Sequence, residues 1–262
     1  MNMDLPKSFC VLALAAALAA PVTHAQDNSD NGCGKLPSQA RLKSALTGAR
    51  NDSNGGFGLD MWGTVVNRDG VVCAVAFTGD DRGSQWPGSR VISAQKANTA
   101  NAFSLPGLAL STANLYAAVQ PGGTLFGLQH SNPVATDAAY KGPASAFGRS
   151  NDPLVGERVG GINVFGGGLA LYNEDGELVG AVGVSGDTSC ADHNIAWRTR
   201  HELVLDFVPD GVSANHDDNI NYQGIVPVPS LANDFSHPVC AIAGEDNVSD
   251  ISADLPPKRE SD

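Results

Sequence analysis

Between Ser189 and Leu205 the chain reads SCADHNIAWRTRHELVL, and its chemistry-bearing side chains recur at helical intervals. On a helix advancing about 100° per residue, His193, Trp197, Arg200 and Val204 share one face, with His201 at its edge. Ile195, Thr199 and Leu203 lie toward the opposite side, where a sheet would meet them. An imidazole, an indole and a guanidinium on one face suit a flat anionic ligand. The imidazole can ligate a metal such as iron, the indole can stack, and the guanidinium can pair with a carboxylate. The plainer reading, which spacing alone favours, is a subunit interface or a half-buried helix flank. One histidine without a second ligand at a known spacing is a weak metal signal. His193 is the first metal-ligand candidate and His130 the second, with His237 also in view.

Lys96 and Thr99 stand three apart in AQKANTANAF, with Arg90 a turn and a half earlier, and spacing alone reads this as a solvated helix face. Gly167 and Gly168 in NVFGGGLALY, and the glycines of GAVGVSG, are unusual inside strands. Glycine weakens a strand unless a bulge or a close neighbour needs the space. Either a ligand lies against this hairpin, or a helix packs tightly on it.

Other chemistries are missing. No G-x-G-x-x-G follows a strand, no G-x-x-x-x-G-K-[ST] occurs, and H-E-x-x-H is absent. GVSGD is not G-x-S-x-G, so Ser185 is not a nucleophile elbow. Asp217, Asp218 and Asn219 lack EF-hand spacing and read as a solvated acidic loop. No nucleophile–base pair is visible, so binding is read ahead of catalysis.

The elements that must position these residues follow from local pattern. LPSQARLKSALTGAR suits a short amphipathic helix, broken by NDSNGGFG. LDMWGTVVNRDGVVCAVAFTG is two β-rich runs around an Asp-Gly turn, and GLALYNEDGELVGAVGV repeats the arrangement. SRVISAQKANTANAF reads as a helix stopped before Pro106. STANLYAAV reads as another, with Ser111 as N-cap, stopped by QPGG. The stretch Phe126–Gly161 is irregular, and a loop this long in a compact domain is functional or a lid. The last helix begins near Thr188 or Ser189, with Ser189 and Asp192 at capping-box spacing. The pattern α-β-β-α-α-loop-β-β-α predicts an α+β domain: an antiparallel sheet built from β-hairpins with helices packed on one face.

Residues 1–25 read as a secretory signal peptide: Lys7, an apolar run from Val11 to Ala20, and a small-residue stop after Ala25. The run is too short to span a bilayer, and nothing later is long and apolar enough to do so. Residues 26–208 then form the domain. Residues 209–262, acidic and proline-rich, form an extension that is partly disordered. A net charge of -12 with scattered basic residues argues against nucleic acid and anionic membranes. The expected location is periplasmic or secreted.

Export leaves Cys33, Cys73, Cys190 and Cys240, an even number with no C-x-x-C pair, which favours two disulfides. Cys190–Cys240 is expected because the poorly apolar DFSHPVC stretch needs a tether. Cys33–Cys73 then follows by elimination. The alternative joins Cys33 to Cys240 and Cys73 to Cys190.

VVNRDGVVCAVAFTG, SAQKANTANAF and GGGLALYNEDGELVGAVGVSGD together resemble the GlcG/HbpS family of small haem-binding domains. The matching features are Lys96-Ala97-Asn98-Thr99-Ala100, Gly167-Gly168 and Gly183-Val184-Ser185-Gly186, and the resemblance spans roughly Leu59 to Leu205. It implies a compact α+β domain, commonly oligomeric, that binds haem or a related tetrapyrrole and in some members senses or degrades it. A homo-oligomer is therefore expected. The long insert, the C-terminal extension and the four cysteines depart from short family members. The reading that follows is an exported haem-binding protein for storage, carriage or sensing. The alternatives are a small-molecule enzyme, such as one that degrades haem, and a structural or partner-binding accessory domain.

Overall fold

The computed structural model describes residues 32–223, 235–240, 250–251 and 254–261. The expected signal segment lies outside the described residues. Helix α1 (Gln39–Asn51) is capped by Ser38, whose hydroxyl accepts from the Arg41 amide, and buries Leu42, Ala45, Leu46 and Ala49. Strands β1 (Trp62–Asn67) and β2 (Val72–Phe77) form the first hairpin. Its turn closes where the Asn67 side chain accepts from the amides of Asp69 and Val71, and where Gly70 takes a φ of 74°. Helix α2 (Ser89–Phe103) follows, then a short helix α3 (Thr136–Ala139) inside the insert. Strands β3 (Gly168–Tyr172) and β4 (Leu178–Ser185) form the second hairpin and lead into helix α4 (Ser189–Leu203). A two-residue parallel pair, β5 (Tyr222–Gln223) and β6 (His237–Pro238), lies in the extension.

The two hairpins join through β1 and β4 into one antiparallel sheet of order β2-β1-β4-β3. This is the expected α+β architecture. The helices, expected on one face, divide between both. Val65, Val182 and Val184 point into a core with Leu42 and Leu46 of α1 and with Ile195 and Trp197 of α4. Their neighbours Val66 and Ala181 point into a second core with Val91, Ala94, Ala97 and Ala100 of α2. Alternate side chains of one strand therefore feed opposite layers, so β4 is buried along its whole length.

The strand glycines permit that second layer. A Cβ on Gly183 would lie 2.0 Å from the Ser93 carbonyl oxygen of α2, and one on Gly168 would lie 2.5 Å from that of Lys96. On the other face, a Cβ on Gly166 would lie 2.2 Å from the Ser189 carbonyl oxygen of α4. Of the two sequence readings, tight helix-on-sheet packing accounts for these glycines.

Three local expectations change. STANLYAAV forms turns and a single 3-10 turn over Ala117–Val119 in place of a helix. Its buried polar side chains bind elsewhere: Thr112 donates to the Phe165 carbonyl, and Asn114 donates to the Asn219 carbonyl. At α4 the N-cap is Thr188, not Ser189, and Asp192 turns its carboxylate to the amides of Gly186 and Asp187. The insert is anchored rather than open. Arg90 of α2 pairs with the buried Asp152, donates to the Ala139 carbonyl at 3.1 Å, and stacks on Phe147.

Both expected disulfides form, with Cα–Cα distances of 5.5 Å for Cys33–Cys73 and 6.1 Å for Cys190–Cys240. Residues near the C-terminus, expected to be partly disordered, hold contacts: Leu255 is buried, and Arg259 pairs with Asp206 and donates to the His201 carbonyl. Among the described residues, no helix is long and apolar enough to cross a membrane.

Candidate functional site

The first turn of α4, the last residue of β4 and the inner face of α2 converge on a cleft of about 290 Å³. Trp86, Ile92 and Phe165 line its outer part, and Ser185, Asp187, Ser189, Lys96 and Asp192 its floor. Trp86 is 51% exposed and Phe165 is 48% exposed, so both rings offer apolar surface at the mouth of the cleft.

Lys96 is not on a solvated face. It is fully buried, and its Nζ donates to Asp192 Oδ2 at 2.7 Å and to the Val184 carbonyl at 3.0 Å. Burial pushes the Lys96 ammonium down, opposed by the Asp192 charge. Burial likewise pushes Asp192 up to about 6, opposed by Lys96 and by the Asp187 amide. Neither group has bulk water to stabilise its charge, so each is the other's main electrostatic support. Thr99, also buried, faces away from this pair: its hydroxyl donates to Gln95 and accepts from the Asn163 amide, holding the chain that enters β3.

Ser189 carries a contact that sequence spacing could not reveal. Its Oγ lies 2.8 Å from His237 Nε2 and accepts from the Gly166 amide at 2.6 Å. On the far side of that imidazole, Nδ1 lies 2.6 Å from the Pro238 carbonyl oxygen. A carbonyl only accepts, so Nδ1 carries the proton. Burial depresses His237 to about 4, so the ring is neutral at physiological pH, Nε2 holds a lone pair, and the Ser189 hydroxyl is the donor. The two residues are 48 positions apart and meet because Cys240 is bonded to Cys190, next to Ser189. The His237 amide donates to the Asn221 carbonyl and the Ser236 carbonyl accepts from the Ala117 amide, fixing the peptide that enters β6.

The α4 face that sequence periodicity assembles is also real, but it is covered. His193 and Arg200 are completely buried, and Trp197 is 2% exposed. Arg200 forms two hydrogen bonds of 2.7 Å to the carboxylate of Asp218 and stacks on Trp197. The Trp197 indole donates to the Pro256 carbonyl at 2.8 Å. Neither ring nitrogen of His193 makes a hydrogen bond of normal geometry, although the Asn219 side chain lies close enough to interact with it. Burial pushes it down to about 3, with the charge of Arg200 adding to the shift. Asp217 and Asp218, both buried, and the half-buried Asn219 are thus a cover on this face, not a solvated loop. His130 is exposed on the insert and lines none of these surfaces.

These residues bear unequally on a tetrapyrrole. The chemistry of the cleft, flat aromatic surface above hydroxyls and an ammonium, fits a planar carboxylated molecule. Its volume is at the small end for ligand pockets, so a large ring would be only partly enclosed. Iron bonded to His193 does not fit the covered arrangement. Asn219 and His237 of the extension occupy the surroundings of the imidazole, and Arg200 has its carboxylate from Asp218. Cys190, His237 and Cys240 form the one cluster of metal-ligand spacing among the described residues, and its two sulfurs are joined in a disulfide.

A family model described as haem-degrading protein HbpS-like matches residues 39–200. Among solved structures, the chain is similar to a PduOC:haem complex, at 22% identity and a TM-score of 0.43, covering 63% of this chain and 90% of that one. It is similar to protein ORFY of Klebsiella pneumoniae, at 23% identity and a TM-score of 0.43, covering 64% and 90%. A double mutant of HbpS from Streptomyces reticuli matches at 17% identity and a TM-score of 0.41, covering 76% and 99%. No curated protein matches the chain.

Proposed function

The chain belongs to the HbpS-like family of haem-degrading proteins, and from that premise we propose that it is an exported haem-binding protein, taking haem or a related tetrapyrrole at the cleft between α2 and α4. The observation that carries this reading is that Trp86 and Phe165, both half-exposed, line one cleft with the hydroxyls of Ser185 and Ser189 and the buried Lys96–Asp192 pair. Flat aromatic surface holds a flat ring, and the amide-rich start of α4 favours its carboxylates. His193 is the proposed iron ligand only for a state in which the extension has left α4, because ligation and the closed cover exclude each other. The bound group supplies redox and oxygen chemistry. This chain's residues bind it and orient its carboxylates.

Export rests on residues 1–25 and on the two disulfides, which persist in oxidising compartments. Mass spectrometry of the exported form should give an N-terminus at Gln26. A retained Met1 contradicts it. Association into a homo-oligomer is part of the same proposal and is read by sedimentation. For the ligand, haem titrated into the oxidised chain should give a saturable Soret change that weakens in Trp86→Ala and in Phe165→Ala. No change at micromolar haem removes the reading.

A further inference from the structure

Ser189 and His237 have the arrangement that activates a hydroxyl: a serine oxygen within hydrogen-bond reach of an imidazole, whose other nitrogen is fixed by a third group. The third group here is the Pro238 carbonyl, which sets the tautomer that leaves Nε2 as acceptor. The imidazole is 3% exposed, while Ser189 is only half-buried and lines the cleft, so the base is protected and the nucleophile is reachable. Donors for a developing oxyanion stand beside it. The first-turn amides of Ser189 and Cys190 have no acceptor within α4 and supply those donors, while the Gly166 amide donates to Ser189 Oγ at 2.6 Å and supports negative charge on the nucleophile itself.

We propose that Ser189 is a nucleophile with His237 as its base, and that the cleft turns over small activated esters with a flat leaving group, an esterase-type activity. In the first step the Ser189 hydroxyl proton passes to His237 Nε2 while Oγ bonds the acyl carbon. The bond from that carbon to the leaving oxygen then breaks, and the proton on Nε2 moves to the departing alcohol or phenol. In the second step water attacks the acyl carbon and gives its proton to Nε2. The carboxylic acid departs, and Oγ recovers the proton. No other reactant is required. Trp86, Ile92 and Phe165 supply the apolar surface for the leaving group.

The test uses the intact oxidised chain without haem, so its outcome is independent of tetrapyrrole binding. A fluorophosphonate probe should give one adduct, mapped by peptide mass to Ser189 and lost in Ser189→Ala. p-Nitrophenyl acetate hydrolysis should fall about a hundredfold in His237→Gln. A non-reducing peptide map showing Cys190–Cys240 intact certifies that the variant is folded. Lys96 and His193 act on His237 through their charge, and the titratable Tyr116 packs its ring against the imidazole at 5.0 Å between centroids. In the native chain, labelling should therefore stay level from pH 8 to pH 5 (about) and fall only below that. No adduct, an adduct elsewhere, equal hydrolysis by folded His237→Gln, or a rate climbing steadily with pH each overturns the proposal.

Discussion

Arg200 and Asp218 face each other in a bidentate ion pair with no solvent exposure on either side chain, joining the last helix of the domain to its own C-terminal extension. The guanidinium also donates to the Ala170 carbonyl of β3, so the pair locks helix, sheet and extension together. Removing one partner of such a pair strands a charge out of water, at a cost of about 3–5 kcal/mol. Asp218→Ala should lower the urea midpoint accordingly, and Arg200→Met with Asp218→Leu should recover much of the loss. If Asp218→Ala unfolds at the native midpoint, the extension does not stabilise the fold through this contact.

The Cys190–Cys240 disulfide holds the extension against α4 by a second route. The cysteines are 50 residues apart, and the chain-entropy model assigns such a closure about 4 kcal/mol. Cys190→Ser with Cys240→Ser should therefore be less stable and should loosen the cover over His193. Haem added to this double variant should give a Soret spectrum that changes further on His193→Ala, whereas His193→Ala in the oxidised chain should change nothing. Equal dependence on His193 in both forms contradicts the exclusion between cover and ligand.

The sequence was legible where the signal is local. Two Asp-Gly turns between β-rich runs specify the hairpins, and the start of α4 was legible to within a residue, near Thr188 or Ser189, although the cap proves to be Thr188. Helical spacing placed His193, Trp197 and Arg200 together correctly. It could not say what lay against them, because Asp218 and Pro256 arrive from an extension with no periodicity of its own. Lys96 looked solvated for the same reason: its partner Asp192 is 96 residues away and meets it only through the register of β4. The Ser189–His237 contact had no local signature. The only clue was the expected Cys190–Cys240 bond, which brings residue 237 near residue 189.

Acid should destabilise the fold. His193 and His237 are depressed to about 3 and about 4 by burial, so the folded chain binds fewer protons than the unfolded chain below the ordinary histidine value of 6.5. Their stabilisation is complete above that value and is lost as pH falls toward 4. Asp192, raised to about 6 by burial, acts with the opposite sign between 6 and its ordinary 3.8. Two histidines against one carboxyl leave a net loss on the order of a few kcal/mol. Urea midpoints should therefore be lower at pH 4.5 than at pH 7. A midpoint that holds or rises means these imidazoles are solvated.

Lys96→Met should raise Asp192 further, since its main positive neighbour is gone, and should cost about 3–5 kcal/mol by leaving a buried carboxyl uncompensated. Asp192→Asn in the same chain should recover part of that loss. Carboxyl titration followed by NMR separates this from simple loss of packing: packing alone would leave the Asp192 midpoint where it is.

Two glycine-to-alanine changes should move stability in opposite directions. Gly48 lies on the exposed face of α1, and a Cβ there would meet nothing within 4 Å. Glycine inside a helix is less favourable than alanine by about 0.8–1.0 kcal/mol, so Gly48→Ala should raise the thermal midpoint. Gly183 lies in β4 beneath α2, and its added Cβ would sit 2.0 Å from the Ser93 oxygen and 2.5 Å from the Ala97 nitrogen. Both contacts are backbone, so relief requires α2 itself to shift. Forcing such a shift in a packed core costs about 1–3 kcal/mol or more. It should also disturb the cleft, because Lys96 and Ile92 belong to the displaced helix. Thermal melts of the two variants beside the native chain decide it. Gly183→Ala melting at or above the native temperature would mean that α2 does not rest on β4 as described.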